Sequence, residues 1–193
     1  MTPRLLRSLD VPPQRWRNGG GLTRELFAWP EAAAAWQVRV SVADVDADGP
    51  FSAYPGVQRW FTVLKGAGVE LTVGSKAHRL ERGDAPVCFA GDTPTGCRLL
   101  DGPTQDLNLM LRQATGGMAS ATDGQAWTPN AAQCGLFTAV AGRCEAGTQT
   151  LEVPAYALLW FDPAPPSLRF TAGQRPAALI GWWLAASPGG APA

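Results

Sequence analysis

Glycine and proline, 22 and 17 of 193 residues, cut this chain into short pieces and leave little room for a long helix. Between the breaks lie brief runs of Leu, Val, Trp and Phe, separated by Gly, Pro, Asp or Ser. That spacing is the mark of an all-β sandwich or barrel. Trp36-Gln37-Val38-Arg39-Val40-Ser41-Val42-Ala43 is the clearest piece, alternating so that Trp36, Val38, Val40 and Val42 share one face.

Further strands are expected over residues 23–29, 59–64, 69–73, 77–80, 86–89, 97–100 and 106–112, with a short Ala-rich helical turn at 31–35. The stretch 115–120 reads as a linker. A second, shorter series follows at 135–140, 148–153, 157–161, 168–170 and 178–184, and 187–193 reads as a disordered tail. Two blocks around one linker predict two barrels. The first, 1–115, carries a ligand pocket; the second, 116–193, is smaller, with fewer polar inward positions.

Charge and cysteine usage narrow the function. Lys+Arg and Asp+Glu balance at 16 each with no clustered block, which argues against nucleic acid, since phosphate binding needs a concentrated positive field. No stretch approaches the roughly 20 apolar residues of a membrane span. The N-terminal residues lack the apolar run of a signal peptide. The four cysteines, Cys88, Cys97, Cys134 and Cys144, form no CxxC pair, so reduced, partly buried thiols and a cytoplasmic location are expected.

Residues 52–98 follow the spacing of the two metal-bearing motifs of the cupin superfamily. In H-x-H-x(3,4)-E-x(6)-G, the ligand positions are Ser52, Tyr54 and Arg59, with Gly66 kept. In G-x(5)-P-x-G-x(2)-H-x(3)-N, Gly83 and Gly91 are kept and Pro94 stands for the histidine. Divalent transition metals need imidazole, thiolate or carboxylate ligands, and a guanidinium repels them. The chain thus resembles an all-β bicupin, two cupin-type β-barrels with short helical turns, and no metal or other cofactor is expected.

What stands in place of the ligands is polar. Ser52 and Tyr54, two apart on an extended segment, share a face. Asp106, Asn108 and Met110 share another, opposite Leu107, Leu109 and Leu111. Spacing alone leaves two readings open: these faces look at solvent with Arg59 half-exposed, or they line a barrel mouth where Arg59 has Asp106 as partner and meets a carboxylate.

Several stretches together resemble the HutD/Ves family. Trp16-Arg17-Asn18-Gly19-Gly20-Gly21-Leu22-Thr23-Arg24-Glu25 matches W-x-N-G-G-G-x-T-x-E, and Asp48-Gly49-Pro50-Phe51-Ser52-Ala53-Tyr54-Pro55-Gly56 with Arg59 matches D-G-P-F-S-x-aromatic-P-G-x-x-R. Phe89-Ala90-Gly91-Asp92 and Asp106-Leu107-Asn108-Leu109-Met110 match F-x-G-D and D-F-N-L-M. Residues 36–43 match W-R-hydrophobic-S-hydrophobic-A, with Gln37 at the arginine position and Leu107 where Phe is usual. The resemblance implies a metal-free bicupin, often dimeric, associated with histidine utilisation and with binding an intermediate such as N-formylglutamate or urocanate.

The expected ligand-binding residues are Asn18, Thr23, Glu25, Phe51, Ser52, Tyr54, Arg59, Asp106, Asn108 and Met110. In this reading Arg59 clamps a small carboxylate metabolite, Asn18, Ser52, Tyr54 and Asn108 supply hydrogen bonds, Phe51 and Met110 form an apolar wall, and Glu25 or Asp106 balances the guanidinium. The Asn18–Gly21 glycines read either as a plain turn or as an anion-binding nest. Two alternatives remain: a metal-independent enzyme using Glu25 or Asp106 as base and Tyr54 as acid, and a partner-binding module, with a homodimer among the possible assemblies.

Overall fold

The computed structural model describes residues 3–31, 35–173 and 179–189. Among them, regular structure consists of nineteen strands and one 3-10 turn, Ser8–Asp10. The chain divides into two compact units: Pro12–Gln113, and Met1–Val11 together with Ala114–Ala193. The first residues lie with the C-terminal half because β1 (Arg4–Arg7) pairs antiparallel with β17 (Ala157–Phe161). The Ala-rich stretch expected as a helical turn falls partly outside the described residues.

The Pro12–Gln113 unit has two sheets. One runs in the order β2 (Gln14–Arg15), β3 (Gly21–Trp29), β4 (Val38–Val45), β11 (Thr104–Arg112), β6 (Val57–Lys65), β9 (Val87–Ala90). The other runs β5 (Gly49–Pro50), β10 (Thr95–Leu99), β7 (Val69–Val73), β8 (Lys76–Leu80). Ala43, Phe61, Val63 and Phe89 from the first sheet meet Val69, Leu71, Leu80 and Cys97 from the second to form the unit's core. The larger sheet is buried on both faces at its centre. Val38, Val40 and Val42 with Leu107, Leu109 and Leu111 are at most 2% exposed on one side. Arg39, Ser41 and Ala43 with Asp106, Asn108 and Met110 occupy the other, as the two-residue period of a strand requires.

The second unit repeats this plan. Its strands are β12 (Ala114–Ser120), β13 (Ala126–Trp127), β14 (Gln133–Thr138), β15 (Gly142–Ala146), β16 (Gln149–Val153), β17, β18 (Leu168–Ala172) and β19 (Gly181–Pro188). The orders β12-β19-β14-β17 and β13-β18-β15-β16 copy β4-β11-β6-β9 and β5-β10-β7-β8. Each strand from β4 to β11 therefore has a counterpart eight places later, which makes the molecule an internal duplication.

Two expectations change. Residues 115–120 are not a linker but most of β12, paired along its length with β19. Ser187 and Pro188 belong to β19 rather than to a loose tail, whose last residues lie outside the described ones. Trp182 and Trp183 are both buried, on opposite faces of β19: Trp183 stacks on Trp127 at 5.0 Å and Trp182 packs on Phe137 at 6.3 Å. The cysteines are all free, with Cys97, Cys134 and Cys144 buried and Cys88 exposed. Among the described residues no helix is long and apolar enough to cross a membrane.

Candidate functional site

The inward face of β4, β11 and β6 arranges its side chains in rows. Met110 pairs with both Arg39 and Arg59, Asn108 with Ser41 and Phe61, and Asp106 with Ala43 and Val63. The first two rows line a cavity of about 520 Å³ in the Pro12–Gln113 unit; of the third, only Ala43 reaches it. Two loops complete the walls.

Residues 14–18 form one wall. The turn that follows is closed by Trp16 N–H donating to Gly21 O at 3.0 Å and by Trp16 Nε1 donating to Thr23 Oγ1 at 2.7 Å. Only glycine fits position 21, where a Cβ would lie 2.3 Å from Asp44 O. The nest reading fails here: Gly19 N–H donates to Trp16 O and Gly20 N–H to Asn18 Oδ1, so both are spent on the turn itself.

Residues 50–54 form the other wall. Asp48 Oδ1 accepts from Leu99 N–H at 2.8 Å, and Phe51 N–H donates to Thr95 O at 2.9 Å, fixing Phe51 over the cavity. Tyr54 N–H donates to Gly91 O and Gly91 N–H to Val57 O, each at 2.7 Å. A Cβ at Gly91 would lie 2.7 Å from Tyr54 O, so this contact also demands glycine.

Arg59 sits between these walls. It is 5% exposed, which excludes the solvent-facing reading. Its Nη2 donates to Asn108 Oδ1 at 2.9 Å, while Nε is buried with no partner. The rings of Phe51, Phe89 and Tyr54 surround the guanidinium at 4.9, 5.2 and 5.9 Å. Among the described residues no carboxylate lies within ion-pair distance of it. Burial pulls its pKa down to about 10, with Tyr54 opposing and Arg39 reinforcing that shift, so it stays charged at neutral pH.

Neither carboxylate expected to balance Arg59 does so. Glu25, outside the cavity lining, accepts from Arg39 Nε at 2.6 Å. Asp106 is fully buried one row deeper and accepts from Thr104 Oγ1 at 3.0 Å. Burial raises its pKa to about 8, against the lowering effect of the Thr104 bond, with Asp44 adding to the rise. Asp106 is therefore mostly a neutral acid at pH 7 and supplies no countercharge. The reason is register: Asp106 shares a face with Asn108 and Met110, yet it lies beside Ala43 and Val63, inside the core.

The other expected residues, Asn18, Thr23, Phe51, Ser52, Tyr54, Arg59, Asn108 and Met110, all line the cavity. Sequence reasoning overlooked Arg39, Ser41, Trp16 and Phe61, which line it too. The signal for the first two was present, because an alternation that puts Val38, Val40 and Val42 on one face puts Arg39, Ser41 and Ala43 on the other. Gln37 is buried outside the lining, so the arginine serving this part of the cavity is Arg39.

A cupin metal would find a hydroxyl, a phenol and a guanidinium at Ser52, Tyr54 and Arg59, while Pro94 is exposed in the turn before β10. This donor set does not fit a divalent transition metal.

The HutD family model matches residues 8–179. The chain belongs to the HutD family. An uncharacterised 21.2 kDa protein in the hutC 3′ region of Pseudomonas putida is 37% identical over 107 residues, 55% of this chain and 56% of that protein. Protein Ves from Citrobacter koseri is 40% identical over 105 residues, 53% of this chain and 54% of that one. The matched part thus spans about half the length of these curated relatives. Among solved structures, a conserved protein of unknown function from Pseudomonas aeruginosa PAO1 superimposes with a TM-score of 0.82 at 27% identity, covering 97% of this chain and 98% of that one. HutD from Pseudomonas fluorescens SBW25 shares the fold with a TM-score of 0.80 at 24% identity, over 96% of this chain and 98% of that one.

Proposed function

We propose that this HutD-family protein binds a small carboxylate metabolite and acts as a sensor or regulator connected with histidine utilisation. The observation that carries the reading is Arg59: a charged guanidinium, nearly fully buried, beside a cavity, without a carboxylate partner. An uncompensated buried charge is costly, and a bound anion offsets that cost. A planar guanidinium suits a carboxylate through paired N–H donors, and among the described residues Arg59 donates to Asn108 through Nη2 while Nε is left without an acceptor. The link to histidine utilisation rests on family membership and on the relative from the hutC 3′ region.

The cavity favours a ligand with two acidic groups. Arg39 and Arg59 flank Met110 on three neighbouring strands, about 10 Å apart at Cα. Arg15 and Arg17 add exposed cations to the wall, whereas the nearby Glu25 offsets only Arg39. N-formylglutamate carries two carboxylates and urocanate one, so the former is the better candidate.

The test is thermal unfolding against N-formylglutamate, urocanate, glutamate and histidine, with Arg59→Met beside the unaltered protein. A ligand at about 100 times its Kd adds about 2.7 kcal/mol, which raises Tm by roughly 5–10 °C in a chain of this size. A rise with one acid that disappears in Arg59→Met supports the proposal. If no acid changes the Tm of a cooperatively melting protein, the carboxylate clamp is wrong.

A further inference from the structure

Charge is distributed unevenly around the cavity of the Pro12–Gln113 unit. The chain as a whole is neutral, with 16 Lys and Arg against 16 Asp and Glu. Four of those cations, Arg15, Arg17, Arg39 and Arg59, line the cavity, and among the described residues no carboxylate does. The nearby acids are engaged elsewhere: Glu25 accepts from Arg39, Asp44 from Arg24 and Gln105, and Asp48 from Leu99 N–H. The four arginines also differ in depth. Arg59 is buried, Arg39 is half-buried, and Arg15 and Arg17 are exposed.

The residue between Arg15 and Arg17 holds them at the wall. Trp16 N–H donates to Gly21 O, its Nε1 donates to Thr23 Oγ1, and its ring meets Phe51 of the opposite wall edge-on at 6.4 Å. Arg15 is further tied by its pairing with Leu22 between β2 and β3. The backbone is thus fixed while both side chains stay in water. Among the described residues neither has a carboxylate within ion-pair distance. A solvated, unpaired arginine makes a poor clamp, because water competes for its hydrogen bonds. It does act at a distance. Its field reaches about 8 Å at physiological salt and about 30 Å at 10 mM, and a cleft lined by one sign of charge focuses that field into its opening.

We infer that Arg15 and Arg17 are a capture pair: they draw anions to the mouth of the cavity and set how fast a ligand enters, while Arg39 and Arg59 set how long it stays. The inference rests on the carboxylate reading for the ligand's chemistry and adds the order in which the cations act on it. Its consequence is selection by sign of charge on entry, with anions concentrated at the mouth and cations turned away. Focused fields of this kind raise association rates by about 10- to 1,000-fold, and two exposed charges supply the lower end of that range.

The experiment compares the unaltered protein with Arg15→Gln/Arg17→Gln in two arms. In the first, stopped-flow fluorescence with N-formylglutamate at about 20 and about 200 mM NaCl gives the association and dissociation rate constants. At the lower salt the double variant should associate about tenfold more slowly, with dissociation within about twofold of the unaltered protein. Added salt should slow association of the unaltered protein and leave that of the variant nearly unchanged. An association rate that stays the same, or a change confined to dissociation, overturns the inference.

The second arm needs no ligand. It reads quenching of Trp16 fluorescence, taken as the difference from the matching Trp16→Phe protein, by iodide, caesium and uncharged acrylamide. The double substitution should lower iodide quenching at least about twofold, raise caesium quenching and spare acrylamide quenching. Iodide quenching that stays the same overturns the inference, and so does a fall with all three quenchers, which reports a moved wall. If N-formylglutamate does not bind the unaltered protein, that ligand assignment fails while the quenching arm still decides on the capture pair.

Discussion

Asn108 Oδ1 accepts a hydrogen bond from Arg59 Nη2 at 2.9 Å across β11 and β6, inside the protein. Asn108 therefore holds the guanidinium in place as well as lining the cavity. Asn108→Ala leaves a second buried nitrogen unsatisfied and should lower stability by about 1–3 kcal/mol, read by urea unfolding. Asn108→Asp gives Arg59 an internal carboxylate that competes with the ligand. Affinity for the acid found by thermal unfolding should fall at least about tenfold in calorimetry, or about 1.4 kcal/mol.

Asp106 makes stability depend on pH in a defined direction. Its pKa is about 8 in the folded chain against 3.8 for the free group. Between those values the unfolded chain releases the proton while the folded chain keeps it. This contribution is thus fully present below pH 3.8 and lost as pH rises toward 8, at up to about 1.4 kcal/mol per pH unit. Asp106→Asn, which keeps the Thr104 contact without an ionisable proton, should flatten that part of the pH profile and raise stability at pH 8 relative to the unaltered protein.

Arg39 tests whether the ligand has two acidic groups. Arg39→Met removes the second cation and leaves Arg59 in place. Affinity for a two-acid ligand should drop by about 1–2 kcal/mol, roughly five- to thirtyfold. Affinity for a one-acid analogue should change less. Equal losses for both in competition calorimetry would remove Arg39 from the second-acid role.

Gly21 holds the turn that carries Trp16 and Asn18 to the cavity. A Cβ there meets Asp44 O at 2.3 Å and Trp16 Cε3 at 3.3 Å. Gly21→Ala should cost about 1–3 kcal/mol through this overlap. It should also weaken ligand binding by displacing the Trp16–Thr23 contact. Denaturant unfolding and calorimetry on one preparation separate the two effects.

Much of the site was legible because strand periodicity and local turns are short-range. The stretch from Asp48 to Arg59 announces Phe51, Ser52, Tyr54 and Arg59, and their loop is fixed by contacts with β9 and β10. The alternation of β11 correctly put Asp106, Asn108 and Met110 on one face. It could not show depth, which comes from pairing: Asn108 falls opposite Phe61 at the cavity wall and Asp106 opposite Val63 in the core, beside a register shift between Gln105 and Asp106. Glu25 was misassigned for a related reason. β3 lies along β4, placing Glu25 opposite Ser41 just before an irregularity and within reach of Arg39 instead of Arg59.

The sequence by itself determined that the chain is all-β, which faces of its central strands are polar, and that Ser52, Tyr54 and Arg59 follow one another at spacings that let them serve one polar site. Those follow from local rules, namely the two-residue strand period, the turn preferences of Gly and Pro, and side-chain chemistry. Only the tertiary structure decided that Arg59 is buried without a carboxylate, that Asp106 is a neutral core acid, and that residues 115–120 are a strand. Each of these depends on which distant strands come together, because burial and charge partners are set by packing between segments far apart in the chain.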